Sequence, residues 1–366
     1  MLNKKIYFED DADSSILNGK IVAVIGYGNQ GRAQALNLRD SKVNIIVGSI
    51  VDKSRQKAIS DGFKVYPIAE AVGKADIVFI LTPDEEMPKL YKKDIEPYLK
   101  ENATLNFASG YNIAFNLLKP LPDKDVIMIA PRMIGLGVRE RFLNGEGFFS
   151  FINVYQNVSG HADKTLLALA KALGSLKAGG IVTTMKQEAI LDLFNEQAFG
   201  PAFGRVLLSS INILLKNGLP PEAVLCEMYL SGEMSYTYKK MAQIGLVKQT
   251  NFHSNTSQYG AMSRGIRYLS LNLEEKFQKT FDEINSGSFA KEWDNPVSKI
   301  KFKLIKYFAM RQKINKIENE VRKNLKLNNF ITDNAEIDEK EIDKLLKNPM
   351  IKNEIDIIKD LYDYDY

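Results

Sequence analysis

The chain has 366 residues, 45% of them hydrophobic, enough for two domains with a core each. A formal net charge of +4, with 26% charged residues of mixed sign, gives no reason to expect a nucleic-acid partner. One cysteine excludes an intramolecular disulfide framework and fits a reducing cytoplasm. That residue, Cys226, follows the apolar run Ala223-Val224-Leu225 and reads as a small buried hydrophobe. With only His161 and His253 in the chain, no histidine pairing for a catalytic thiol is expected. Met1 to Asp13 is charged and lacks a signal-type apolar core. The uninterrupted apolar runs are strand-length, so a cytoplasmic protein with no membrane partner is expected.

In chain order, Ile21–Ile25 reads as a buried strand, followed by a glycine turn and a helix over 30–38. Val43–Val47 is a second strand, Phe63–Tyr66 a short third, and Ile77–Leu81 a fourth. Thr104–Phe107 and Val126–Ala130 complete the series. Strands alternating with helical stretches predict an α/β fold with a doubly wound parallel sheet, a Rossmann domain over 1–182. Residues 183–246 look almost wholly helical, broken at Gly218-Leu219-Pro220-Pro221 and restarted at Pro221. Further helices are expected over 260–281 and 299–325, giving an all-helical domain over 183–327. The Lys-rich stretch 299–326 reads as a solvated helix face. Residues 328–366 form an acidic extension, in which Ile342, Leu345 and Leu346 suggest one short docking helix.

Gly26-Tyr27-Gly28-Asn29-Gln30-Gly31 follows the first strand directly and opens a helix. Gly26 permits the tight turn, Gly28 lets the backbone approach a pyrophosphate, and Gly31 lets helix pack on strand. The helix N-terminus then offers N–H groups to the phosphates. The residues after the second strand should meet the adenosine ribose. There Asp52 suits the 2′-hydroxyl of NAD, whereas Lys53, Ser54 and Arg55 suit the 2′-phosphate of NADP. The balance leans slightly to NADP and stays open.

Several stretches together resemble the short form of ketol-acid reductoisomerase. They are the strand and helix around the glycine loop, Leu81-Thr82-Pro83-Asp84-Glu85, Phe107-Ala108-Ser109-Gly110-Tyr111-Asn112-Ile113 and Gln156-Asn157-Val158-Ser159-Gly160. Asp192-Leu193-Phe194-Asn195-Glu196-Gln197 is similar to the family's metal-binding helix. Ser254 to Gly260 and Ser286 to Trp293 resemble its last two motifs. The resemblance covers about residues 7–326. It implies a knotted helical second domain, a homodimer or higher homo-oligomer, two Mg2+ ions and NADPH. It also implies a 2-aceto-2-hydroxy acid as substrate, isomerised by alkyl migration and then reduced. Thr82, Pro83 and Ser109 then belong to the cofactor site, and Ser254 to the substrate carboxylate.

Asp192 and Glu196 stand four residues apart, so a regular helix projects both from one face. Their mutual repulsion suits a divalent cation, and hard oxygens suit magnesium, which acts as a Lewis acid on a carbonyl. Glu188 shares that face one turn earlier and reads as a supporting group. The family's second carboxylate pair falls on Glu227 and Glu233, with two extra residues between. Six residues turn a regular helix by about 240°, so these two converge only if Gly232 breaks the helix; Glu233 is the better candidate. The chain also departs from the family at Ser109, where the family has histidine. It departs again at Pro131-Arg132-Met133-Ile134-Gly135-Leu136, where the family has Pro-Lys-Gly-Pro-Gly-His. Arg132 keeps the charge but not the compact ammonium of lysine. The apolar loop reads either as packing drift or as a pocket reshaped for a more hydrophobic substrate.

These residues predict an NAD(P)H-dependent oxidoreductase of this family. It acts on a 2-keto acid or related carbonyl or imine, with isomerisation the step most exposed to the departures. The named alternative is an authentic reductoisomerase converting 2-acetolactate to 2,3-dihydroxyisovalerate in branched-chain amino-acid synthesis. A non-catalytic cofactor-binding protein is the third reading.

Overall fold

The computed structural model describes residues 2–327, 339–348, 352 and 355–358. Two compact units divide the chain, Met1–Leu193 and Phe194–Tyr366.

The first unit is built on nine strands: β1 (Ile6–Tyr7), β2 (Ile21–Ile25), β3 (Asn44–Gly48), β4 (Lys64–Tyr66), β5 (Ile77–Ile80), β6 (Thr104–Phe107), β7 (Asp125–Pro131), β8 (Ser150–Gln156) and β9 (Gly180–Val182). They pair in the order β1-β9-β8-β7-β6-β5-β2-β3-β4. From β4 to β7 all pairings are parallel, as the alternation of strands and helices predicts. β2, β5, β6 and β7 are buried on both faces, which is why they read as unbroken apolar runs. Helices α1 (Asn29–Asp40) and α2 (Lys53–Ser60), with the Ala162–Leu173 helix, close one core around Val24, Phe79 and Ile129. Helix α3 (Ile68–Lys74) and the Met87–Ile95 segment close the other around Ile25, Leu105 and Met128.

Two pairings depart from the all-parallel expectation. β8 runs antiparallel to β7, and β1 antiparallel to β9. β1 and β9 have two and three residues, too few to carry a period, and β8 is half-open with polar residues on its outer face. The Gln156–Gly160 motif is a structural tie. Asp125 accepts from Val158 N at 2.7 Å, from Ser159 N at 3.0 Å and from the Ser159 hydroxyl at 2.5 Å. Gln156 Nε2 donates to the Leu121 and Lys124 carbonyls, both at 2.9 Å.

The second unit is helical throughout its described residues, including Gly200–Lys216, Glu233–Ile244, Leu273–Ser286 and Pro296–Ala309. A helix does restart at Pro221, running to Leu225. Cys226, expected to be buried, is exposed: Val224 and Leu225 take the inward side of their turn, and the next residue swings out to solvent. The docking helix of the extension is Glu339–Leu346. Its Ile342 packs against Leu304, with ion pairs from Lys303 to Glu341 and from Arg311 to Glu339. The rest of the extension lies outside the described residues, apart from 347–348, Lys352 and 355–358, of which Ile355 and Ile358 join the same cluster.

Counting uninterrupted apolar residues misses one feature. Met185–Lys216 forms a 32-residue helical run with a window of mean hydropathy 1.4, only 11% buried, long and apolar enough to cross a membrane. Alone it is weak ground for a membrane reading, because the core helices of soluble proteins meet the same length and composition.

Candidate functional site

The order of the sheet reverses at β2, which pairs with β3 on one side and β5 on the other. The glycine loop leaves the carboxyl end of β2 at this switch point, where open α/β sheets bind ligands. Gly26 has φ +92°, and a Cβ there would meet the Leu81 carbonyl oxygen at 2.7 Å. A Cβ on Gly31 would stand 2.1 Å from the Gly26 carbonyl oxygen, so α1 presses directly on the loop. A Cβ on Gly28 would meet nothing, leaving its approach open to a ligand. Gly28 is also the N-cap of α1 and supplies no side-chain cap, so first-turn N–H groups are left for an anion.

A network that local sequence does not reveal pins this loop. The Tyr27 hydroxyl donates to Asp61 at 2.9 Å, and Arg32 forks onto the same carboxylate at 2.7 and 3.0 Å. Arg32 holds the Asp61 carboxyl below its usual range, while burial and Asp61 push the Tyr27 phenol up. Asp61 sits in an ordinary Ser-Asp-Gly turn, with its partners about thirty positions away.

Beside the loop lies a cleft of about 770 Å³, within the range of cofactor sites. Residues 26–30, Asp52, Ser54, Thr82, Pro83 and Ser109 line it, whereas Gly31, Lys53 and Arg55 stand behind or outside it. Asp52 caps α2, accepting from Arg55 N at 3.0 Å and from the Ser54 hydroxyl at 2.7 Å. The Thr82 hydroxyl is buried without a protein partner, the kind of group a bound ligand satisfies. Ser109 accepts from Tyr111 N at 3.2 Å. At the other end, Gln30 Nε2 donates to the Met133 carbonyl at 2.9 Å, and Gly135 packs on the Asn29 backbone so closely that a Cβ would come within 2.2 Å. The apolar loop therefore rests on the glycine loop, and its Ile134 and Leu136 are exposed.

The acidic helix Met185–Phe194 meets the end of β7 through Arg132. One guanidinium nitrogen donates to Asp192 at 2.9 Å and the other to Glu188 at 3.1 Å, with the cation 4.8 Å from the Phe151 ring centroid. Glu188 is wholly buried and its second oxygen accepts from Gly110 N at 2.6 Å. Burial pushes its carboxyl up to about 7, against the pull of Gly110 N–H and Arg132. Glu188 thus ties the Ser109-Gly110 loop to the acidic helix, and Arg132 neutralises Asp192.

Past Phe194 the helix loosens into a π-turn, Asn195–Phe199, so Glu196 does not follow Asp192 with the regular spacing the sequence suggests. Gly232, at φ +79°, does break its helix: Glu227 lies in a π-turn over Cys226–Leu230 and Glu233 opens the next helix. Both glutamates are exposed. Ser254 is the N-cap of Asn255–Gly265 and accepts from Ser257 N at 3.3 Å. Among the described residues no three His, Cys, Asp or Glu side chains come together.

Two family models cover this chain. The acetohydroxy acid isomeroreductase NADPH-binding domain matches residues 16–179, and the ketol-acid reductoisomerase C-terminal domain matches 185–327. The chain belongs to the ketol-acid reductoisomerase family. A putative ketol-acid reductoisomerase 3 of Saccharolobus solfataricus is 41% identical, over 77% of this chain and 86% of its own length. A ketol-acid reductoisomerase (NADP(+)) of Pyrobaculum aerophilum is 42% identical over 79% and 88%. A solved NADH-preferring ketol-acid reductoisomerase from an uncultured archaeon superposes with TM-score 0.82 at 35% identity, covering 87% of this chain and 99% of its own. The chain is accordingly an NAD(P)-dependent oxidoreductase with the α/β fold of that family. The family-model match ends at 327, before the Glu339–Leu346 helix.

Proposed function

We propose that this reductoisomerase relative reduces a 2-keto acid, or a related carbonyl or imine, and performs alkyl migration poorly or not at all. The observation that carries the reading is the Arg132 guanidinium seated on Glu188 and Asp192. Asp192 is the carboxylate that migration chemistry needs for metal binding. Here it is already neutralised by a fixed cation, whose fork binds more firmly than a lysine would. Hydride transfer asks for less. The glycine loop would hold the pyrophosphate of a bound dinucleotide, and Thr82, Pro83 and Ser109 would flank its nicotinamide. A nicotinamide bound there would supply the hydride for the carbonyl carbon, and a proton on the oxygen would complete the hydroxy acid.

A complete reductoisomerase making 2,3-dihydroxyisovalerate from 2-acetolactate is the second reading, favoured by relatives of that name at about 40% identity. Cofactor oxidation with Mg2+ separates the two. The proposal expects turnover of 3-hydroxy-3-methyl-2-ketobutyrate, the isomerised keto acid, at least about a hundredfold faster than of 2-acetolactate, a barrier difference of about 2.7 kcal/mol. Comparable turnover of both would establish the second reading. Cofactor binding with no turnover of any keto acid or imine would favour a protein that only binds its cofactor.

Homo-oligomerisation belongs to the same proposal. Phe199, Phe203, Val206 and Ile213 are exposed at and along the Gly200–Lys216 helix, whose only buried residue is Ile211. Apolar surface on that scale calls for a partner. A second copy would cover it and bring further carboxylates for magnesium. Light scattering should give a dimer or larger; a monomer at micromolar concentration would remove this part of the proposal.

A further inference from the structure

The adenosine end of the cleft carries a selectivity that the sequence leaves open. We propose that this chain takes NADH in preference to NADPH, and that Asp52 is the residue that selects. The inference rests on the reading of the cleft as a nicotinamide-dinucleotide site.

Asp52 lies four residues beyond the end of β3, where a Rossmann domain meets the ribose, and it lines the cleft. The bonds that cap α2 both use its Oδ1, which leaves Oδ2 for a sugar hydroxyl. A 2′-hydroxyl donates to that carboxylate. A 2′-phosphate, with close to two negative charges, meets it as a like charge and is repelled. The cations that would offset this repulsion do not line the cleft. Arg55 Nη1 donates to the Ser49 carbonyl at 3.2 Å, folding back under its own loop, and neither Arg55 nor Lys53 lines the cleft. What faces the ribose from this side is a carboxylate and two hydroxyls, those of Ser49 and Ser54. The Ser49 hydroxyl is buried without a protein partner, a neutral group suited to another hydroxyl. The opposite wall carries Lys89 and Lys93, but Glu86 and Asp94 stand beside them, so that wall adds no net positive charge.

The test is direct binding to the full-length protein, read by nicotinamide fluorescence for NADH and NADPH. ADP and 2′,5′-ADP, measured by calorimetry, isolate the adenosine end from the nicotinamide. Wild type is expected to bind NADH at least tenfold tighter than NADPH, and ADP tighter than 2′,5′-ADP. Asp52→Asn keeps the helix cap and removes the charge. It should narrow both ratios at least tenfold, chiefly by strengthening the phosphorylated ligand. A merely structural role for Asp52 would move all four ligands together. Lys89→Ala/Lys93→Ala should weaken both cofactors alike. Three results would overturn the inference: NADPH bound as tightly as NADH, ratios unchanged in Asp52→Asn, or selective loss of NADPH in the lysine variant. Should neither dinucleotide bind, the cofactor reading itself fails; should both bind with NADPH ahead, only the role of Asp52 fails.

Discussion

Replacing Arg132 by methionine is expected to destabilise the protein by about 3 kcal/mol at pH 8.5 and by under about 1 kcal/mol at pH 5.5. Methionine keeps much of the stem that packs near Phe151 but leaves Glu188 without its counter-ion at full burial. In the wild type, the Glu188 carboxyl titrates near 7 when folded, against 4.5 for the free group. Between those values the folded state holds more protons than the unfolded one. This group's contribution is therefore complete below 4.5, falls as pH rises, and levels off above 7. Removing Arg132 lifts the folded value further and extends that fall to higher pH, at up to about 1.4 kcal/mol per pH unit. At pH 5.5 the variant simply keeps Glu188 protonated and loses little. Urea unfolding at both pH values measures the difference. Arg132→Met/Glu188→Gln should lose the added pH dependence, because no titrating group is left in the cavity. If the double variant retained it, Glu188 would not be its source.

The same pair shows where sequence reading ends. β2 and α1 are legible because strand, glycine turn and helix are contiguous, and their periods are local. The Glu188–Arg132 bond joins positions 56 apart, and the Asp61 network joins positions 29 and 34 apart. No period or spacing announces such pairings. Arg132 stood out only as a departure from a resembling motif, and Asp61 and Asp125 did not stand out at all. In the second unit the obstacle is helix geometry. Regular 3.6-residue spacing is the natural assumption for Glu196 and Glu227, yet both lie in π-turns, which redirect side chains without any change in composition. Gly232 is the exception, because a glycine standing between the two candidate ligands Glu227 and Glu233 is a visible break and has the left-handed backbone to make one. Cys226 misleads for the opposite reason. Its apolar neighbours were visible, but the side of the helix on which the turn places it was not.

Alanine substitutions at Gly28 and Gly31 should separate two kinds of glycine that look equivalent in the motif. At Gly31 the added methyl would stand 2.1 Å from the Gly26 carbonyl oxygen, a backbone atom that can move only with the loop. Either α1 shifts off β2 or the loop is displaced, and both disturb the phosphate-binding N–H groups. Gly31→Ala is therefore expected to cost about 3 kcal/mol or more in stability and to weaken cofactor binding at least about a hundredfold. At Gly28 the methyl meets no protein atom within 4 Å and the backbone is in the ordinary negative-φ region. Gly28→Ala should leave stability within about 1 kcal/mol of wild type, the loss of a glycine N-cap being its main cost. Its cofactor affinity should nonetheless fall at least about tenfold, since the space the methyl fills is the space a pyrophosphate must enter. Thermal unfolding with and without NADH reads both quantities in one experiment, because ligand stabilisation scales with the logarithm of affinity. Full cofactor-induced stabilisation in Gly28→Ala would mean that no phosphate approaches Gly28, and that the ligand of this cleft lies differently from a Rossmann dinucleotide.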